Sequence, residues 1–437
     1  MIEIFSILVI FFAVVLYVLN SSRLGFLHPG GLILILSIFY GVIPYLLLKF
    51  FPLITFQVYP LFFDLYSESI LDELFVVYVF SLLGFFFGET CLFIRLKGSI
   101  RGGNNFKNPR SVPIYFSSII YVLLVGVFFY IKYEPIGGYL NFISQASRRD
   151  SFEYLYGGWA RYEMFFYVAF FSLLILWGRT EKLKVKYILV PFSLIYFSHV
   201  IMSGGRLELA ITLVTLFFYF SAIHREAIRK NKFKIFGFFL AFFVVMSLFS
   251  QVRSYMRDDR VMGSTDSFEV RSSMLIPKEM FASYISGFIT LREREYYMSS
   301  VFNRIIPSKV AGMMGVEKED TLPRKMSVIS VFSSGIPVHV VPFQLDLRLL
   351  GFGFIGVMLI SSLVYLFVIN LYISGFRGGG WFRILISMLL VMNVWYMMRV
   401  DLSNWFPRLY QTLFVACFFY ILYLLFSAVL KRKGYEH

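Results

Sequence analysis

The sequence predicts an all-α polytopic integral membrane protein with about 11–12 transmembrane helices and one large extramembrane loop late in the chain. Three observations lead there. Of 437 residues 58% are hydrophobic and the mean hydropathy is +0.73, against about 45–50% apolar in ordinary globular domains. The excess is arranged in runs of the length a spanning helix needs, roughly 20 residues. Residues 251–347 are the one long interruption, charged and without a run able to span a bilayer. The short alternating segments of a transmembrane barrel are missing.

Spans are expected at 2–19, 31–50, 73–94, 112–131, 163–178, 186–202, 207–223, 233–250, 348–373, 383–400 and 409–430. A twelfth is conceivable at Pro52–Leu65. The first run has no basic leader and no small-residue cleavage site, so it reads as a retained helix. Three parts follow: helices 1–8 over residues 1–250, the loop over 251–347, and helices 9–11 with a tail over 348–437.

Charge orients the spans. Twenty basic residues gather on one face, in the connections holding Arg95 to Arg110, Arg179 to Lys186, Arg225 to Lys234, Arg377 with Arg383, the tail Lys431 to Lys433, and Arg23. Short connections rich in lysine and arginine stay cytoplasmic. The opposite face carries Asp64, Glu68, Asp72 and Glu73, the Ser203–Gly205 turn and the large loop. The loop is therefore expected outside, in the periplasm of a Gram-negative cell. The net charge of +15 is accounted for by this placement, and no nucleic-acid partner is expected. The two cysteines, Cys91 and Cys417, both sit in apolar runs and read as packing residues.

Outward-facing arginines are the main chemical signal. In Ser203-Gly204-Gly205-Arg206 the glycines allow a tight turn into the next helix, whose free N–H groups form an anion site beside a guanidinium. A plain hairpin with a snorkelling arginine fits the same residues. Arg253 and Arg257 are four apart just beyond the eighth span and share a face if that helix continues. Guanidinium groups fork onto phosphate oxygens and stay charged. At the loop's return, His339, Asp346 and Arg348 sit in a Gly/Pro-rich stretch running to Gly353. His339 or Asp346 could serve as a general base toward a sugar hydroxyl; Asp346 and Arg348 could equally pair with each other. Residues 276–291 read as an amphipathic helix at the interface, and Glu279 on it is a further carboxylate candidate. Arg399 and Asp401 are weaker candidates, better read as anchors. No Walker A sequence, HExxH or Cys/His cluster occurs, so neither ATP hydrolysis nor a metal is expected.

This layout resembles the Wzy-type O-antigen (oligosaccharide repeat unit) polymerases. The likeness rests on a dominant late outer loop, the small-residue-plus-arginine turn at 203–206, and an acidic residue followed by an aromatic-glycine pair, here Asp346 and Phe352-Gly353. Family members more often place a glutamate one position away from Asp346. The resemblance implies a GT-C-like membrane glycosyltransferase of the bacterial inner membrane that joins undecaprenyl-diphosphate-linked oligosaccharides without a cofactor. Under it, Arg206, Arg253, Arg257 and Arg348, with Gly204 and Gly205, hold the lipid diphosphate. His339, Asp346 or Glu279 then takes the proton, and a Wzz-type chain-length regulator is the expected partner beside membrane lipid. O-antigen ligases share the layout. A flippase for lipid-linked oligosaccharide is the rival from outside enzymes, and a structural membrane partner is a third reading.

Overall fold

In the computed structural model, residues 2–24, 28–51, 66–95, 111–134, 137–138, 141, 163–180, 183–202, 206–223, 230–231, 237, 284, 286–288, 291, 306, 308–315, 343–376, 380–398 and 402–432 are described. Among them the fold is helical, with no strand. The helices are α1 (Ile2–Leu24), α2 (Pro29–Ser37), a π-turn (Ile38–Val42), α3 (Ile43–Phe50), α4 (Glu68–Arg95), α5 (Ser111–Tyr133), α6 (Glu163–Thr180), α7 (Leu183–Met202) and α8 (Arg206–Ile223). Within residues 251–347 lie α9 (Ser308–Met313) and α10 (Phe343–Leu347), and after them come a second π-turn (Arg348–Phe352), α11 (Gly353–Phe376), α12 (Trp381–Met397) and α13 (Leu402–Arg432).

Ten of the eleven expected spans coincide with these helices; the eighth, 233–250, is described only at Gly237, and Pro52–Leu65 lies outside the described residues. Five stretches are long and apolar enough to cross a membrane: Pro29–Phe50, Glu68–Arg95, Pro113–Ile131, Phe343–Gly375 and Trp405–Arg432. The remaining apolar helices are shorter. Helix α11 shows why apolarity here means lipid rather than core. Ile355, Leu359, Leu363 and Phe367 recur every fourth residue and are all more than half exposed, while Val357, Ser361, Tyr365 and Val368 are buried. A four-residue apolar stripe left open is costly in water and ordinary against acyl chains. The described chain thus has the character of a multi-pass membrane protein.

The chain divides into two compact units. The first contains residues 1–100, 224–369 and 393–407, and the second 101–223, 370–392 and 408–437. In the first, α4 packs on α11 through small residues. Ser81, Gly84 and Gly88 on α4 face Met358, Ser361 and Tyr365 on α11, both sets spaced i, i+3, i+7. A Cβ on Gly84 would fall 2.2 Å from the Met358 carbonyl oxygen, and one on Gly88 would fall 2.7 Å from the Tyr365 ring. The Ser81 and Ser361 hydroxyls hydrogen-bond at 3.0 Å. Close backbone approach at small residues is how helices associate where lipid removes the hydrophobic drive.

The second unit is held by aromatic and hydroxyl contacts. Tyr196 stacks on Phe170 at 5.2 Å between centroids and shares a 2.7 Å hydrogen bond with Thr212. Tyr121 meets the Phe419 ring edge-on at 5.0 Å, and Trp381 meets Tyr423 at 4.9 Å.

Candidate functional site

The described part of the site lies in the first unit, where the chain returns from the large loop. The return helix starts at Phe343, earlier than the expected boundary at 348. The physical reason is that Phe343, Leu345 and Leu347 are themselves buried, so the turn gains enough apolar burial to be helical. Asp346, on this turn, is fully buried, as is Gln344, whose amide donates to the Met398 sulfur at 3.3 Å.

The helix then breaks. Residues 348–352 form a π-turn in which Gly351 has φ +85°, and Gly353 follows at φ +62°, ψ −178°. Both conformations belong to glycine; the second is essentially closed to any residue with a Cβ. The sequence Gly351-Phe352-Gly353 therefore produces a kink that interrupts the regular hydrogen-bond ladder. Irregular backbone at membrane depth is tolerated where protein or a cavity surrounds it.

Arg348 is the first residue of the kink. Its Nη2 lies 3.2 Å from the Glu73 carboxylate, with the two side chains 19% and 30% exposed. Its guanidinium carbon sits 4.6 Å over the Phe354 ring. One face of the guanidinium is thus stacked and one edge is salt-bridged, while the Nε hydrogen has no acceptor among the described residues. Arg348 thus pairs with Glu73 on α4, a partner that the sequence reading, which offered Asp346, did not name.

Glu73 belongs to an acidic end of α4. Lys49, at the end of α3, bridges to Glu68 and stands 3.6 Å from Asp72. Tyr45 donates to Asp72 at 3.0 Å and stacks on Phe75 with ring centroids 3.7 Å apart. Tyr66, ahead of α4, stacks at 6.1 Å on Phe288 from the large loop. Burial and the Glu68 charge push the Tyr66 phenol up, with Lys49 opposing.

The loop segment 276–291 is described at 284, 286–288 and 291, where it is helical and buried. Tyr284 is fully buried, stacks on Tyr78 at 5.5 Å, and donates its hydroxyl to the Gly41 carbonyl inside the first π-turn. A Cβ on Gly41 would strike Tyr78 at 2.5 Å. Gly287 is likewise pressed on Leu74, where a Cβ would come to 2.6 Å. Tyr284 and Gly287 are therefore seated against α4 and the π-turn.

The other expected site residues are placed only in part. Helix α8 begins at Arg206, directly after Gly204 and Gly205 as the turn predicts; the Arg206 side chain and the two glycines are outside the described residues, as are Arg253, Arg257, Glu279, His339, Arg399 and Asp401. Sequence reasoning overlooked Glu73 as a partner and Lys49 and Tyr284 altogether. Glu73 had a signal, since it stands in sequence with the acids Asp64, Glu68 and Asp72. Among the described residues no group of three or more His, Cys, Asp or Glu could hold a metal.

Fold and site together define a helical membrane protein with a kinked return helix and a paired arginine at the kink. Compared with family models, curated proteins and solved structures, the chain matches none.

Proposed function

We propose that the chain is a membrane glycosyltransferase that polymerises oligosaccharide repeat units linked by diphosphate to undecaprenyl lipid, on the periplasmic face of the bacterial inner membrane. The observation that carries the reading is Arg348. It stands at a glycine-made break where the large loop rejoins the helices, oriented by Glu73 and Phe354, with its Nε hydrogen unspent. A pre-oriented guanidinium beside irregular backbone suits an anionic leaving group, because it stabilises developing charge without reorganising.

In this reading the hydroxyl of an incoming lipid-linked repeat attacks the anomeric carbon of the growing chain. A new glycosidic C–O bond forms, the bond from that carbon to diphosphate oxygen breaks, and lipid diphosphate departs with both bonding electrons. Arg348 neutralises the departing charge, and Arg253 and Arg257 are the further arginines that the resemblance assigns to it. The hydroxyl proton passes to a base drawn from His339, Asp346 and Glu279. The charge pattern of the connections supports the outward face, and a chain-length regulator is the partner this reaction calls for.

The test is the surface polysaccharide of a deletion strain complemented with variants. Wild type restores a ladder of chain lengths, and Arg348→Ala and Arg253→Ala, inserted at wild-type levels, leave single-repeat caps. Ladders of normal length from both variants overturn the assignment. Accumulation of uncapped lipid-linked polymer in the deletion strain would make the chain a ligase, and repeats retained on the inner leaflet would make it a flippase.

A further inference from the structure

At the other end of α4 from Glu73 lies a polar cluster that the polymerase reading does not use. Glu89 is only 5% exposed, and its carboxylate accepts a 2.6 Å hydrogen bond from the Asn20 amide on α1. No cationic side chain among the described residues pairs with it. Asn20 and His28 are fully buried. Asn20 Oδ1 and the Tyr365 hydroxyl have no hydrogen-bond partner among the described residues, and the His28 ring lies against the Tyr17 backbone, which offers it a hydrogen bond. Burial pulls the His28 pKa well below its ordinary value, so the ring adds no positive charge.

A glycine draws the Tyr365 hydroxyl and the His28 ring together. The position a Cβ on Gly30 would take is 2.3 Å from the Tyr365 hydroxyl and 2.9 Å from His28 Nδ1. Gly88, next to Glu89, is in contact with the Tyr365 ring, and the Tyr17 ring, one turn before Asn20, stacks on His28 at 4.6 Å. Helix α1 ends at Leu24, which puts the negative end of its dipole within about a turn of Asn20.

We propose that this cluster binds one monovalent cation of sodium size. A buried carboxylate without a cationic partner is strongly disfavoured, and the side chain that already contacts it, Asn20, carries an unspent acceptor oxygen. A proton would occupy one of them, whereas a metal cation engages several oxygens at once. One carboxylate among neutral donors balances a single charge; a divalent ion would leave an uncompensated positive charge in an apolar surrounding. The bound ion ties α1, α2 and α4 to α11.

The experiment uses the purified full-length chain in lipid nanodiscs, with radiolabelled sodium binding and thermal unfolding in sodium chloride against choline chloride at equal ionic strength. Wild type binds sodium saturably and its melting temperature rises over the same concentrations. Glu89→Gln, which keeps the Asn20 contact, folds but neither binds sodium nor responds to it. Tyr365→Phe binds several-fold more weakly. Absence of saturable sodium binding in wild type overturns the proposal whatever the variants do, and so does a Glu89-dependent infrared band of a protonated carboxyl persisting in saturating sodium. Undiminished binding by both Glu89→Gln and Tyr365→Phe places the ion elsewhere and overturns it too.

Discussion

The pair between Arg348 and Glu73 gives the most quantitative handle on the site. Exposed ion pairs contribute about 0–1 kcal/mol, whereas breaking a buried pair costs about 3–5 kcal/mol because a charge is left uncompensated. With side chains 19% and 30% exposed, this pair falls between those limits. The Phe354 stack at 4.6 Å contributes separately, by about 0.5–2 kcal/mol, and survives removal of Glu73. Glu73→Gln is therefore expected to cost about 1–3 kcal/mol, and Arg348→Met somewhat more through loss of the stack. The assay is a double-mutant cycle on reversible unfolding of the detergent-solubilised protein, using Glu73→Gln, Arg348→Met and the combination. A coupling energy of about 1–2 kcal/mol is expected. Strict additivity, with coupling below about 0.3 kcal/mol, would show that the two side chains do not sense each other and would refute the geometry on which the site rests.

Three further outcomes follow from the packing. Gly353→Ala forces a non-glycine residue into φ +62°, ψ −178°, a strain of about 1–3 kcal/mol; unfolding measurements should show that loss, although nothing lies within 4 Å of the added methyl. Tyr284→Phe removes the hydroxyl bond to Gly41 while keeping the Tyr78 stack, so about 1 kcal/mol of stability is lost and limited proteolysis of the 276–291 segment quickens. Gly84→Val meets the Met358 backbone within the packed face, and overpacking of this kind costs about 1–3 kcal/mol or more, read as a lowered melting temperature; unchanged stability would disprove the small-residue seam.

Helix positions were legible because a spanning segment announces itself locally. Runs such as those now forming α4 and α13 need only length and apolarity, and both fall where the sequence placed them. Boundaries were less legible. Span-length reasoning looked for a long run, so it missed that Phe343, Leu345 and Leu347 would bury and add the α10 turn to the start of the ninth span. The glycines at 351 and 353 marked a special stretch, but a composition cannot say that it becomes a π-turn with left-handed residues. The site was legible in residue type and not in partnership. Arg348 and Glu73 are 275 positions apart in the chain, and nothing local links them; only the docking of the return helix on α4 does. For the same reason Tyr284, one tyrosine in an amphipathic segment, gave no hint that it would donate to Gly41. The Asn20 contact of Glu89 likewise joins residues far apart in the chain and required the packing.

The central claim is chain polymerisation from a lipid-diphosphate donor, and reconstitution tests it most directly. Purified full-length protein in nanodiscs, given undecaprenyl-diphosphate-linked repeat units and no nucleotide or metal, should produce lipid-linked oligomers of two and more repeats with release of undecaprenyl diphosphate. Arg348→Ala should abolish both products together. Unchanged single repeats after incubation with folded wild-type protein, or oligomers formed equally well by Arg348→Ala, would contradict the account.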